Sequence, residues 1–450
     1  MSASPDSTPA SAPVQPPSFR EALAVWIKIG LLSFGGPSGQ IALMHQELVD
    51  KRRWISDGRF LHALNYCMLL PGPEAQQLSI YIGWLLHRTW GGIVAGTLFV
   101  LPGAFLLWLV SYIYVAYGQV PWIDAIFYGL KPAVMGIVAF AVLRIGKKAL
   151  KSPALWSIAA AAFIGIFFLK LPFPLIVGSA ALIGLIGYHL RPDWFFVPQG
   201  HAPAGTARVA AVIDDDYVAN ASPSPALSRA FRTLALWGSL WAAPLVLIAA
   251  TLGTAHVLYV EGLFFSKAAV VTFGGAYAVL PYVAQQAVET HGWLTQTQML
   301  DGLGLAETTP GPLILVLQFV GFLGAWGSPE TFSPLVAATL GAALTTWVTF
   351  VPSFLFIFLG APYIEALRGS RPLGCALSAI TAGVVGVILN LAVWFSLGVL
   401  FPSGASTDWF AVAVAVAVFF GLHRLKWDTL PVVAACGLLG LVYRLWLVPA

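Results

Sequence analysis

The chain has 450 residues, of which 58% are hydrophobic and only 9% charged, and its formal net charge is +4. That balance excludes an ordinary soluble enzyme and leaves no dense basic surface for a nucleic acid. Apolar runs at 91–117, 122–143, 233–253, 333–360 and 375–400 each offer the roughly 20 residues that cross a hydrocarbon core of about 30 Å, and they are continuously apolar rather than alternating, which selects helices over barrel strands.

Taken in order, residues 1–18 are rich in Pro, Ser and Ala with one charge, Asp6, and read as a disordered cytoplasmic tail rather than a signal peptide. A first unit is expected over 19–190, a polar linker with Asp214-Asp215-Asp216 over 191–231, a connecting membrane helix over 232–256, and a second unit over 257–450. Cys67, Cys375 and Cys436 fall in apolar segments without disulfide or metal-ligand spacing. No metal and no cofactor are expected.

The two units repeat. A shift of 239 residues lays Lys28 on Lys267, Phe34-Gly35-Gly36 on Phe273-Gly274-Gly275, Trp54 on Trp293, and Pro71-Gly72-Pro73 on Pro310-Gly311-Pro312. About eleven extra residues near Ser328–Pro334 move the offset to 250, where Pro102 meets Pro352 and Gly136 meets Gly386. Homologous halves of this kind are a transporter signature, and one unpaired span between them would turn the second half upside down. If the two glycine–proline segments of each half are re-entrant hairpins, then Arg20, Lys51, Arg52, Arg53, Arg88, Arg144, Lys147 and Lys148 share one face, which the positive-inside rule makes cytoplasmic. The fold expected is an all-α, polytopic membrane protein with two inverted-topology helical repeats, each containing broken or re-entrant helices.

A broken helix exposes the amide groups that begin its second half, and these carry partial positive charge. Glycine lets an anion approach the backbone, and proline suits a restarting first turn. The candidate anion-binding residues are therefore Ser33, Gly35, Gly36, Pro37, Ser38, Pro71, Gly72 and Pro73, with Thr272, Gly274, Gly275, Tyr277, Thr308, Thr309, Pro310, Gly311 and Pro312 from the second copy. Together they would form a donor cage for a tetrahedral dianion; tight helix packing and simple kinking explain the same residues without a ligand. Lys28 and Lys267, each six residues before Phe-Gly-Gly, would add positive charge to the site or else snorkel to the surface. Lys131 has Thr381 as its counterpart, so any role is one-sided. Glu74 and Glu307 flank the Pro-Gly-Pro motifs at non-equivalent positions and are the candidates for proton coupling, with helix capping the alternative for Glu74. Gly36-Pro37-Ser38-Gly39 matches a short intramembrane-protease motif, but its copy reads Gly275-Ala276-Tyr277-Ala278, which lacks the nucleophile.

The run Lys28–Pro37 followed by Trp54 and Leu70-Pro71-Gly72-Pro73 resembles the signature of the chromate ion transporter family. Its recurrence as Thr272-Phe273-Gly274-Gly275, Trp293 and Thr309-Pro310-Gly311-Pro312 resembles the two-domain, long-chain members. The resemblance implies efflux of chromate across a bacterial inner (plasma) membrane, with sulfate as an analogue, driven by protons. The partners expected are the chromate or sulfate oxyanion, protons and the lipid bilayer, with a homodimer as the compatible assembly and no enzymatic activity. A passive anion channel and a sulfate uptake carrier remain the alternatives. The second half departs from the first at Ala276 for Pro37 and Leu313 for Glu74, so the two copies need not share their roles equally.

Overall fold

The structure, a computed structural model, describes residues 15–34, 36–118, 120–195, 211–214, 227–273, 275–361, 371–401 and 406–447. Residues 1–14 of the expected tail, most of the expected linker, and Gly35 and Gly274 lie outside the described residues. The elements of the described residues are helices, with one isolated bridge between Ile55 and Ile213. Seven of the helices are long and apolar enough to cross a membrane, so the chain is an all-α, multi-pass membrane protein.

Helix α1, Phe19–Leu32, begins at Ser18, whose hydroxyl accepts from the Glu21 amide. It stops at Ser33, and α2, Gly36–His45, restarts from Gly36 at φ 68° and winds on through the wide turn Gln46–Lys51. The Lys28 ammonium lies 3.0 Å from the Glu47 carboxylate. An unbroken helix would hold two residues nineteen apart at a separation of about 28 Å, so the chain doubles back at the break. Helix α3, Asp57–Cys67, is capped by Ser56; residues 68–73 interrupt it before α4, Glu74–Tyr117. Helix α4 itself folds over at His87 and Arg88, the latter at φ 54°. Its arms, 74–86 and 89–117, touch so closely that a Cβ on Gly83 would lie 2.4 Å from the Gly91 carbonyl oxygen.

Helices α5 (Pro121–Ala149), α6 (Pro153–Phe167) and α7 (Phe173–Leu190) each carry proline in the first turn, where its missing N–H costs nothing. A short turn, α8 (Pro192–Phe195), follows. Helix α9, Leu227–Thr251, buries only Trp237, as expected of a span with most of its surface toward lipid. The second half runs α10 (Val257–Val271), α11 (Ala276–Ala284, continued by the wide turn Gln285–Thr290), α12 (Gln296–Thr308), a short 3-10 turn (Leu313–Leu315) and α13 (Val316–Gly327). It ends with α14 (Pro334–Gly360), α15 (Arg371–Leu400), α16 (Trp409–Arg424) and α17 (Thr429–Val442). The first half turns between helical arms in two residues, whereas the second uses the loop after Gly327, which is where the sequence offset grows.

Helix α14 corresponds in sequence to the second arm of α4, and the two pack side by side in opposite directions. The Trp108 indole donates to the Thr339 hydroxyl at 3.1 Å. Further along, Gly96 meets Phe354 and Gly92 meets Phe358, so numbers rise in one helix as they fall in the other. Helix α5 is enclosed by α12, α15, α16 and α17. Pro102 inside α4 frees the carbonyl of Leu98, and Gly30 of α1 lies against it: a Cβ there would sit 2.1 Å from that oxygen.

The end of the molecule at which α1 begins is basic. His87 bonds the Pro17 carbonyl at 3.0 Å, tying the α4 turn to the start of α1 near Arg20 and Arg88. There Glu47, 1% exposed, receives Lys28, Lys51 and Arg52. Burial alone raises a carboxyl, but hydrogen bonds from Lys51, Lys28 and Arg52 outweigh it and hold Glu47 at about 2. The cluster staples the first hairpin shut. From the linker, Ile213 is pinned beside it, its amide donating to the Trp54 carbonyl and its own carbonyl accepting from Ser56.

Gly30→Val forces a side chain into a backbone oxygen and is expected to cost on the order of 1–3 kcal/mol or more, whereas Gly238→Val, with open space around it, should be silent. Thermal unfolding of both variants in detergent checks this. Because the Glu47 carboxyl is depressed, its contribution is complete above the ordinary value of 4.5 and is lost as pH falls toward 2. Glu47→Gln should therefore flatten the loss of thermal stability on acidification below that value; an unchanged acid profile would show that the staple carries no stability.

Candidate functional site

The four breaks meet. The Gly72 amide of the first Pro-Gly-Pro turn donates to the Thr272 carbonyl at 2.7 Å, and the Gly311 amide of the second donates to the Ser33 carbonyl at 2.8 Å. Gly72 corresponds to Gly311 and Ser33 to Thr272 under the 239-residue shift, so the two bonds are copies of one another, each made from one half to the other. Gly72 and Gly311 hold φ 118° and 93°, a backbone shape that disfavours any side chain. Gln40 of α2 reinforces the crossing, donating to the Gly311 carbonyl at 2.5 Å and to that of Ser33 at 3.4 Å.

Around the crossing, α2 and α11 start from glycines at positive φ, Gly36 at 68° and Gly275 at 93°. The amides of a helix's first turn have no partner within that helix, so both starts present N–H groups. Glu74, at the start of α4, lies beside Gly275, where a Cβ would come within 3.0 Å of the carboxylate. The Tyr277 hydroxyl donates to Glu307 at 2.5 Å. Arg144, near the end of α5, donates to the Ser38 hydroxyl at 3.1 Å, and its charge also acts on Glu307 and Tyr277. Lys148, one turn further along α5, acts in the same way on Glu74. The center thus holds two helix starts, two carboxylates, a serine and a tyrosine hydroxyl and one directly bonded cation, Arg144, with the exposed Lys148 nearby, a set able to hold a small anion and to exchange protons beside it.

The candidates read from sequence divide accordingly. Gly36, Ser38, Gly72, Glu74, Gly275, Tyr277, Glu307 and Gly311 belong to this center, and Pro37, Pro71, Pro73, Pro310 and Pro312 shape its turns. The Ser33 and Thr272 hydroxyls are turned back onto the Ile29 and Ala268 carbonyls, and those of Thr308 and Thr309 onto Leu305 and Ala306, so none of the four points at a ligand here. Lys28 is held in the Glu47 cluster, and Lys267 is exposed on α10. Sequence reasoning placed Arg144 and Lys148 on a charged face without linking them to the breaks, and it missed Gln40; all three reach the center only through packing of distant segments. It also missed Glu261, fully buried on α10 against Gly324 and Gly341, and Asp301 on α12, buried beside Lys131.

Corresponding positions differ in exposure. Ser38 is exposed and Gly36, Pro37, Ile41, Leu64 and Asn65 are half-buried, whereas Tyr277, Gly275, Ala276, Leu280, Leu303 and Gly304 are buried. Met68 is 38% exposed, and its counterpart Glu307 5%. The center opens on the side of the first-half hairpins and is covered by the second-half ones.

Sequence comparison gives the family. The sequence model of the chromate transporter family matches residues 20–185 and 262–441. The chain is 32% identical to a chromate transport protein of Pseudomonas aeruginosa, covering 98% of this chain and 95% of that one. It is 28% identical to a chromate transport protein of Cupriavidus metallidurans, with 86% of each covered, and 24% identical to an uncharacterized transporter of Methanocaldococcus jannaschii, with 94% of each covered. No solved structure matches. With both halves of its sequence matched and relatives that are transport proteins rather than enzymes, this multi-pass chain belongs to the chromate transporter family.

Proposed function

We propose that the protein exports chromate, with sulfate as a competing analogue, from the cytoplasm across the inner membrane in exchange for protons. The observation that carries this reading is the meeting of two helix starts with Arg144 and Lys148 at a crossing open on one side only. A dianion in the membrane needs donors that are already oriented, because water is not there to supply them. Helix starts provide such donors without a full counter-charge, and Arg144 adds a planar fork suited to oxyanions.

In this reading the basic face is cytoplasmic, the two halves are oppositely oriented copies, and the open side is where the anion loads. Transport then exchanges which set of hairpins covers the center, the alternating access expected of paired repeats. Covering by the second half favours a carrier over a passive channel, since a channel needs both sides open together. Glu74 and Glu307 are the carboxylates placed to exchange protons with the anion's site, Glu74 at a helix start and Glu307 under Tyr277.

Reconstituted protein with an entrapped pH dye should show proton movement opposite to chromate, and cells carrying the protein should accumulate less chromate than cells without it. Glu74→Gln should uncouple the two fluxes while leaving insertion intact; unchanged coupling would remove Glu74 from the mechanism. Arg144→Gln should weaken sulfate or chromate binding by roughly 10- to 100-fold, the worth of one hydrogen bond to a charged group. Titration of the purified variant, followed by thermal stabilisation, tests this; wild-type affinity would leave the anion site elsewhere.

A further inference from the structure

A cavity lies at the covered end, away from the crossing. It measures about 340 Å³ and is bounded by Tyr114 and Gly118 of α4 and its following turn, Asp124 and Lys131 of α5, Trp293 and Thr297 at the mouth of the second-half hairpin, and Asp301 of α12. Asp301 is 3% exposed. Its Oδ2 accepts from the Tyr114 hydroxyl at 2.9 Å. Its Oδ1 has no hydrogen-bond partner and is faced by the Lys131 ammonium at 3.8 Å. The titratable groups of the lining are Tyr114, Asp124, Lys131 and Asp301; α13 brings Leu323, Trp326 and Gly327, and α15 and α17, which also pack on α12, add no described residue to it. With both carboxylates ionised, the lining carries one more negative than positive charge, which repels a dianion and attracts protons.

We propose that Asp301 is the proton acceptor of the outer face and that its ion pair with Lys131 is the latch that keeps this face covered. The inference rests on the proton-coupled export proposed above and adds to it the site where the external proton enters. Ionised Asp301 ties α12 to α5 across the cavity. When hydronium transfers its proton to the Asp301 carboxylate and leaves as water, the charge facing Lys131 is gone and the attraction between the two helices falls with it. Helix α12 is then free to move from α5 and uncover the center, so the outer face opens where protons are abundant. Tyr114 is the positioning residue: by donating to Oδ2 it leaves Oδ1 toward Lys131 and the cavity.

The test uses Gly304→Cys, a buried position of α12 that faces Leu130 and Val134 of α5, in a chain whose own three cysteines are buried. Labelling by a membrane-impermeant thiol reagent from outside, divided by the reagent's rate with a small free thiol at the same pH because only the thiolate reacts, should rise on the order of tenfold as external pH falls from about 8 to about 5, the usual size of a linked conformational shift. Adding Asp301→Asn should make this normalised labelling high at every pH, and Lys131→Met should do the same through the other partner, while sulfate still stabilises both proteins thermally. In vesicles, Asp301→Asn should make chromate flux insensitive to external pH. If wild-type protein moves protons with chromate but Asp301→Asn keeps the wild-type pH response in labelling and flux, the latch is overturned and the transport reading stands. If the wild type moves chromate without protons, the transport reading fails and the proton site with it.

Discussion

A backbone broken inside a membrane has to find partners for the polar groups that the break releases, because hydrocarbon offers none. In this protein each half solves that problem with the other half. The Gly72 amide finds Thr272 and the Gly311 amide finds Ser33, so neither set of broken helices is satisfied alone. The glycines at these points follow from the constraint, since the turns require positive φ, and so does Gln40, which reaches a carbonyl 271 positions away in the chain. The candidate center is therefore a by-product of stability: the turns that must meet to satisfy one another also bring two helix starts to one place.

Packing and electrostatics are divided unequally around that place. The first-half hairpins are stapled at their base by Glu47 and its three cations, and their tips are partly open. The second-half hairpins are buried near the crossing, with α11 buried throughout and α12 buried from Met299 to Glu307. Cations from α5 lie over the open side, whereas the far cavity contains Asp124 and Asp301 against one lysine. In the proposed reading, a dianion would meet attraction where the structure is open and repulsion beyond the cover, a gradient that would suit export.

The all-helical, multi-pass fold was legible because composition and run length leave little else. The positions of the breaks were legible because glycine and proline are the residues a helix cannot ignore: α1, α3, α10 and α12 do end at Ser33, Met68, Thr272 and Thr309. What meets across the breaks was not legible. The motif shift says that Gly72 and Gly311 are equivalent, but it does not say that each bonds the opposite half. Arg144 looked like any member of a basic cluster at a helix end, because its partner Ser38 lies 106 positions back and only folding joins them. Nor was the direction of the serine and threonine hydroxyls legible, since a hydroxyl near a helix end readily bonds the carbonyl one turn earlier, as those of Ser33 and Thr272 do. Asp301 carried no repeat signal, for its counterpart in the first half is His62.

The unequal chemistry of the two copies has a consequence for the transport cycle. If the halves trade places as cover, the cargo that was loaded next to a serine and an arginine is unloaded next to Tyr277 and Glu307, which are bonded to each other in the covered state. The two ends of the journey then differ in hydrogen-bond donors and in charge, although the two glycine-amide crossings beside them are copies of one another. On the proposed cycle, a carrier made of duplicated parts would acquire its sense of direction from the few side chains in which the duplicates disagree.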